Sequence, residues 1–215
     1  YRDRRQRQMC IRDSLKGMVR AQCRRILMTM LFAELSRSLD TDSPNAIAQT
    51  IADQHLMDIF GGEGPRGKFH IMDALSREGE QVQDHVQTFN AIDRFTGGVA
   101  DGKLYSVKAA FVENMDSELV IRWPENTEEN DTGSANSWQW AKGLLYLCLR
   151  DAMEQQLAVG WGKARGYGSF ELSIQSAESD QLHRTWDSFY SQQNEHVKQA
   201  VAALQSRLQT KMRQA

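Results

Sequence analysis

Residues 160–168 read GWGKARGYG, four glycines, two cations and two large aromatics in nine positions. Whether the chain enters this stretch from a strand or from a helix decides the fold. Phosphate-binding turns of nucleotide folds run from a strand into a helix, so that the anion sits at the helix's positive end. Upstream here, residues 138–157 carry Ala141, Leu144, Leu145, Cys148, Ala152 and Met153 on one helical face. Downstream, SFELSI at 169–174 alternates as a strand. The loop therefore leaves a helix C-terminus, whose dipole disfavours anions. Spacing agrees. Gly162-Lys163 is followed by Ala164, so the hydroxyl of a P-loop is missing, and Gly160, Gly162 and Gly166 space as G-x-G-x-x-x-G rather than G-x-G-x-x-G. Both nucleotide readings fail. RGYG at 165–168 matches the start of the RRM signature, but Ser169 stands where the next stacking ring belongs, and that signature lies on a central strand. Two readings stay open for the loop: a helix C-cap with a turn, or a surface where glycines, Lys163 and Arg165 admit a sugar-phosphate chain. Trp161 and Tyr167 stay open between core packing and base stacking.

Working outward, 40% hydrophobic and 25% charged residues over 215 positions is globular rather than disordered composition. A net charge of -2 gives no global basic bias, so any nucleic-acid argument rests on local cations. No apolar run is long enough to cross a bilayer. Cys10, Cys23 and Cys148 lie far apart. Cys23 and Cys148 fall on helical apolar positions and read as small buried hydrophobes, which fits a reducing cytoplasm. His55, His70 and His85 include no close-spaced ligand pair, so no metal site is expected.

From Ser14, a candidate N-cap, Leu15, Met18, Val19, Cys23, Ile26, Leu27, Met30, Leu31 and Leu35 recur at helical steps. The helix should end before DTDSPN at 40–45, and a shorter one covers about 45–59. GGEGPRG at 61–67 is a loop, KFHIMDA at 68–74 alternates like a strand, and polar residues 76–90 read as irregular. Residues 101–123 read as strand, turn at Asn114–Ser117, and strand; PENTEENDTGSAN at 124–136 is an acidic loop. A final helix is expected from about Glu178 to Arg213, striped by Leu182, Trp186, Tyr190, Val197, Val201, Leu204 and Leu208. That stripe serves either the core or a docked partner. The order helix, hairpin, helix, loop, strand is that of an α+β, ferredoxin-like domain whose first strand is missing. Residues 9–14, MCIRDS, resemble one reading frame of a transposon-end sequence used in DNA-library preparation. Residues 1–13 are therefore expected to be a non-native junction, 14–175 the domain with insertions at about 40–100, and 176–215 a helical extension.

Three segments together resemble a family. GWGKARGYG before the last strand resembles the glycine-rich loop of the RAMP superfamily of CRISPR proteins. SLKGMVR at 14–20 resembles the helix motif of that family's type III backbone subunits, and IDRFTGG at 92–98, followed by DGKLY, resembles another of their segments. DIFGG at 58–62 is a weaker match. The resemblance covers about 14–174 and implies a ferredoxin-like core, cytoplasmic, repeated along a CRISPR RNA in an antiviral effector complex with target RNA and other RAMP subunits as partners. It implies RNA contacts for Lys16, Arg20, Arg94, Thr96, Lys103, Lys163 and Arg165, with Gly160, Gly162, Gly166 and Gly168 as the glycine loop. Lys16 and Arg20 are expected in the first turns of their helix, where amides and dipole join them on one anion. Asp93 and Arg94 are alternatively an ion pair. No cofactor is implied, and a divalent metal only for target cleavage by a full-length parent. The aspartate that performs that cleavage in the family lies upstream of SLKG; Asp13, in the suspected junction, matches no such position, so no catalytic residue is named and enzymatic activity is left open. A second reading is a RAMP-like endoribonuclease processing precursor guide RNA, with His70 or His85 as general acid or base.

Overall fold

A computed structural model describes residues 2–38, 44–72, 74–76, 83–122, 138–175 and 181–214, with side chains throughout except at 2–13, 37 and 38. The acidic stretch 124–136, most of DTDSPN and the side chain of Cys10 lie outside the described residues. Two compact units emerge, Tyr1–Met72 with Leu119–Ala215, and Asp73–Glu118.

The first unit is built on α1 (Arg2–Ser38), α2 (Pro44–Phe60), α3 (Gln139–Met153) and α4 (Trp186–Gln214). Cys23, Leu27, Leu31 and Leu35 recur every four residues along α1, and all four are fully buried. Ile51, Leu56 and Ile59 of α2, Leu144 and Cys148 of α3, and Leu204 and Leu208 of α4 complete the same core. α3 and α4 pack tightly at Gly143, where an added Cβ would lie 2.2 Å from the Ala200 carbonyl oxygen. The stripe of α4 is thus spent on this chain's own core: Val197, Leu204 and Leu208 are buried. No helix among the described residues is long and apolar enough to cross a membrane.

Four expectations need correcting. Ser14 does not cap α1, which passes through it from Arg2; Arg and Gln sustain helix without an apolar stripe, so periodicity placed the start too late. α4 begins at Trp186 rather than Glu178, because the Thr185 hydroxyl accepts the Ser188 amide at 3.3 Å and closes the first turn. Residues 83–89, read as irregular, form β3 (Gln83–Phe89), paired antiparallel with β4 (Tyr105–Phe111). β3 is exposed along nearly its whole length, so it lacks the buried alternation that marks a strand. Cross-strand contacts hold it instead: Lys108–Asp84 at 2.7 Å, Thr88–Ser106 at 3.0 Å, and Phe89 stacked on Tyr105. Finally, the strands flanking Asn114–Ser117 do not pair with each other. β5 (Met115–Asp116) pairs with β2 (Leu75–Ser76), and β6 (Leu119–Ile121) with β1 (Phe69–Ile71), so these two pairings bracket β3–β4 along the sequence. Such long-range pairing leaves no local signature.

SFELSI keeps its alternation, with Phe170, Leu172 and Ile174 half-buried and Ser169, Glu171 and Ser173 exposed. Its ladder is short: Ser169 bridges Ala158, and only β7 (Ile174–Gln175) pairs, with β8 (Leu182–His183). Among the described residues the strands pair two by two in short antiparallel ladders, β1–β6 and β7–β8 in the helical unit and β2–β5 and β3–β4 in the other.

Candidate nucleic-acid interface

The glycine loop is not the cap of α3. That helix ends at Met153, and two residues on Gln155 takes a left-handed φ of 58° while its amide bonds the Ala152 carbonyl at 3.2 Å. The C-cap reading is overturned by a residue that rarely adopts this conformation. GWGKARGYG is instead the tip of a hairpin closed by the Val159 amide on the Gly168 carbonyl at 2.9 Å and the Ala158–Ser169 bridge. At the tip, Lys163–Arg165 form a 3-10 turn between Gly162 at φ 76° and Gly166 at φ 84°.

The four glycines divide into two kinds. At Gly168 a Cβ would lie 1.7 Å from the Val159 carbonyl oxygen, and at Gly162 it would lie 2.8 Å from the Tyr167 ring. Those two glycines let the hairpin close. Gly160 and Gly166, also at positive φ, face open space around the missing Cβ. Lys163 and Arg165 are both exposed, and Lys163 makes no ion pair among the described residues. Trp161 is 63% exposed, with Tyr167 stacked on it at 6.2 Å and the Arg165 guanidinium 4.9 Å over its ring. Nothing in the spacing announced this layered stack, and the sequence left both rings open between core packing and base stacking.

Lys16 and Arg20 lie on α1, one turn apart, in the same unit as the loop. They sit about four turns inside the helix, so the dipole and free amides expected to help them are absent there. What they offer an anion at that position is side-chain charge alone. Arg20 Nη1 donates to the Gly61 carbonyl at 3.4 Å, which ties SLKGMVR to the DIFGG segment. Leu15 and Val19 beside them pack on the same core as Val159 and Phe170, which flank the loop.

Arg94, Thr96 and Lys103 belong to the second unit. Asp93 does not pair with Arg94: its carboxylate accepts the Phe95 amide at 2.9 Å and the Thr96 hydroxyl at 3.1 Å. Thr96 is thereby committed to the turn, where its Oγ1 also accepts the Gly98 amide at 3.3 Å. Arg94, Phe95 and Lys103 remain outward-facing. His70 is half-buried on β1, opposite Val120, while His85 is exposed on β3, opposite Ala109, so the two fall in different units. Among the described residues no group of three His, Cys, Asp or Glu side chains could hold a metal ion.

Cys23 and Cys148 are buried as expected; their mutual contact and the burial of His55 were not legible in the sequence. Cys23 and Cys148 are reduced and adjacent; the Cys148 thiol as hydrogen-bond partner, with burial, pushes the Cys23 thiol well above its usual range. His55 is buried edge-on against Trp140 at 4.8 Å, and its Nδ1 meets the Ile51 carbonyl at 2.7 Å. Burial lowers its pKa, and its Nε2 has no partner among the described residues.

Against known proteins, the family model of the RAMP superfamily matches residues 8–171, from α1 to just beyond the glycine loop. No curated protein matches the chain.

Proposed function

The chain belongs to the RAMP superfamily, and from that premise we propose that it is a CRISPR RNA-binding backbone subunit of a type III effector complex. It holds the guide through its sugar-phosphate chain and contributes to recognition of target RNA beside other RAMP subunits, with base pairing supplying sequence choice. The observation that carries this reading is the hairpin tip. It projects Lys163 and Arg165 from a turn whose flanking Gly160 and Gly166 present no side chain to an approaching backbone. Lys16 and Arg20 add cations on the same unit, and Arg94 and Lys103 contact the guide from the other. A protein of net charge -2 binds RNA through such local clusters rather than through a global field. We assign α1 and α3 as the two helices of a ferredoxin-like core; they pack against each other and carry the motifs on either side.

The test is the salt dependence of binding to guide-length single-stranded RNA. Each phosphate of a single strand that the protein ceases to neutralise reduces the slope of log K against log salt by about 0.7. Lys163→Ala with Arg165→Ala is therefore expected to weaken binding and flatten the slope by about 1.4. An unchanged slope and affinity would remove the loop from the interface.

A further inference from the structure

We propose that Trp161 is a stacking platform for one unpaired RNA base, set at the tip of the glycine hairpin. The inference rests on the RNA-binding reading above and adds to it a contact with a base rather than with phosphate. A tryptophan needed for the core would be buried, as Trp140 is at 4% exposure, whereas Trp161 keeps 63% of its surface open. It is also held in place. Tyr167 lies nearly parallel to it, 28° between planes, and Gly162 leaves room for the Tyr167 ring that a Cβ would enter at 2.8 Å. The indole is thus fixed before any ligand arrives, which reduces the ordering cost of binding.

Arg165 supplies the second half of the site. Its guanidinium rests 4.9 Å over the indole, a cation–π contact at an exposed position. Such a contact is weaker than base–aromatic stacking in single-stranded nucleic-acid sites. An incoming base therefore takes its place on the ring. The displaced guanidinium keeps its charge and reaches the phosphate next to that base, while Lys163 in the same turn meets a neighbouring one. One base on the indole and two phosphates on the flanking cations make a site for single-stranded RNA. A duplex, whose bases are already stacked on one another, presents none to it.

The chemistry distinguishes base stacking from backbone binding, and so does the experiment. The full chain is titrated with two probes of equal length, oligouridylate and the same sugar-phosphate chain lacking its bases. Trp161→Ala is expected to weaken oligouridylate binding roughly five- to hundredfold and to leave the base-free probe within about twofold. Trp161→Phe, which retains a ring, is expected to restore most of that affinity and serves as the control that the hairpin still folds. Equal losses on both probes, or no loss on either, would overturn the platform. If in that case the Lys163 and Arg165 variants still flatten the salt slope, the RNA-binding reading stands without it. Failure of the unmodified chain to bind either probe would overturn both.

Discussion

A methyl group added at Gly168 would sit 1.7 Å from the Val159 carbonyl oxygen, at a backbone φ of 77° that side chains rarely adopt. Gly168→Ala must therefore open the hairpin neck, and we expect RNA affinity to fall by at least as much as in the Lys163 and Arg165 variants, with the helical signal in circular dichroism retained. Gly160→Ala meets no neighbouring atom. Its cost is the strain of φ 81° alone, about 1 kcal/mol, so the two variants separate closure from conformation. His55 gives a residue-scale prediction in pH. Its folded pKa is lowered by burial, so the unfolded chain takes up the proton more readily than the folded one. Stability contributed by neutral His55 is intact above the unfolded value of about 6.5 and is lost as pH falls below it through the folded value. Urea unfolding at a series of pH values is expected to show this loss in the parent and a flatter profile in His55→Gln. A parent profile no steeper than the variant's would contradict it.

At the scale of elements, most of the buried apolar side chains lie on the helices. Leu27 is fully buried within the four-residue repeat of α1, and Leu27→Ala is expected to cost about 2–5 kcal/mol. Arg24 and Asp53 join α1 to α2 at 3.2 Å, but both side chains are about half exposed. Asp53→Ala should cost below about 1 kcal/mol, and thermal unfolding of the two variants side by side checks the ranking. Gly143→Ala drives a methyl into the Ala200 carbonyl and should cost about 1–3 kcal/mol through separation of α3 and α4. These helices were legible because burial imposes a period: Leu27, Leu31 and Leu35 announce α1, and Leu144 with Cys148 announces α3. Alternation found β1 and β4, the latter although mostly exposed, whereas in the alternating stretch Phe170, Leu172, Ile174 only Ile174–Gln175 forms a ladder. β3 shows water on nearly every side chain, and its partner β4 lies beyond an intervening loop, so neither periodicity nor proximity exposed it. The site was legible in part for the same reason. Glycine spacing excluded nucleotides, and Lys163 and Arg165 stood out as cations. The Trp161 stack and the use of Asp93 to hold Thr96 depend on loop geometry that residue order does not encode.

For the molecule as a whole, the family match spans both compact units, and the expected RNA contacts divide between them: Lys16, Arg20, Lys163 and Arg165 on one, Arg94, Thr96 and Lys103 on the other. Neither cluster is large, and the chain's net charge of -2 gives it no global attraction for polyanions. In the proposed reading, binding that survives at moderate salt comes from local contacts, the hairpin tip first among them, rather than from diffuse attraction. The most direct measurement is a map of contacts: ultraviolet cross-linking of the full chain to guide-length single-stranded RNA, followed by identification of the modified peptides by mass spectrometry. The account predicts that the peptide containing residues 160–168 is a principal cross-linked species and that its yield falls in Trp161→Ala. RNA bound with cross-links confined to other peptides would contradict it.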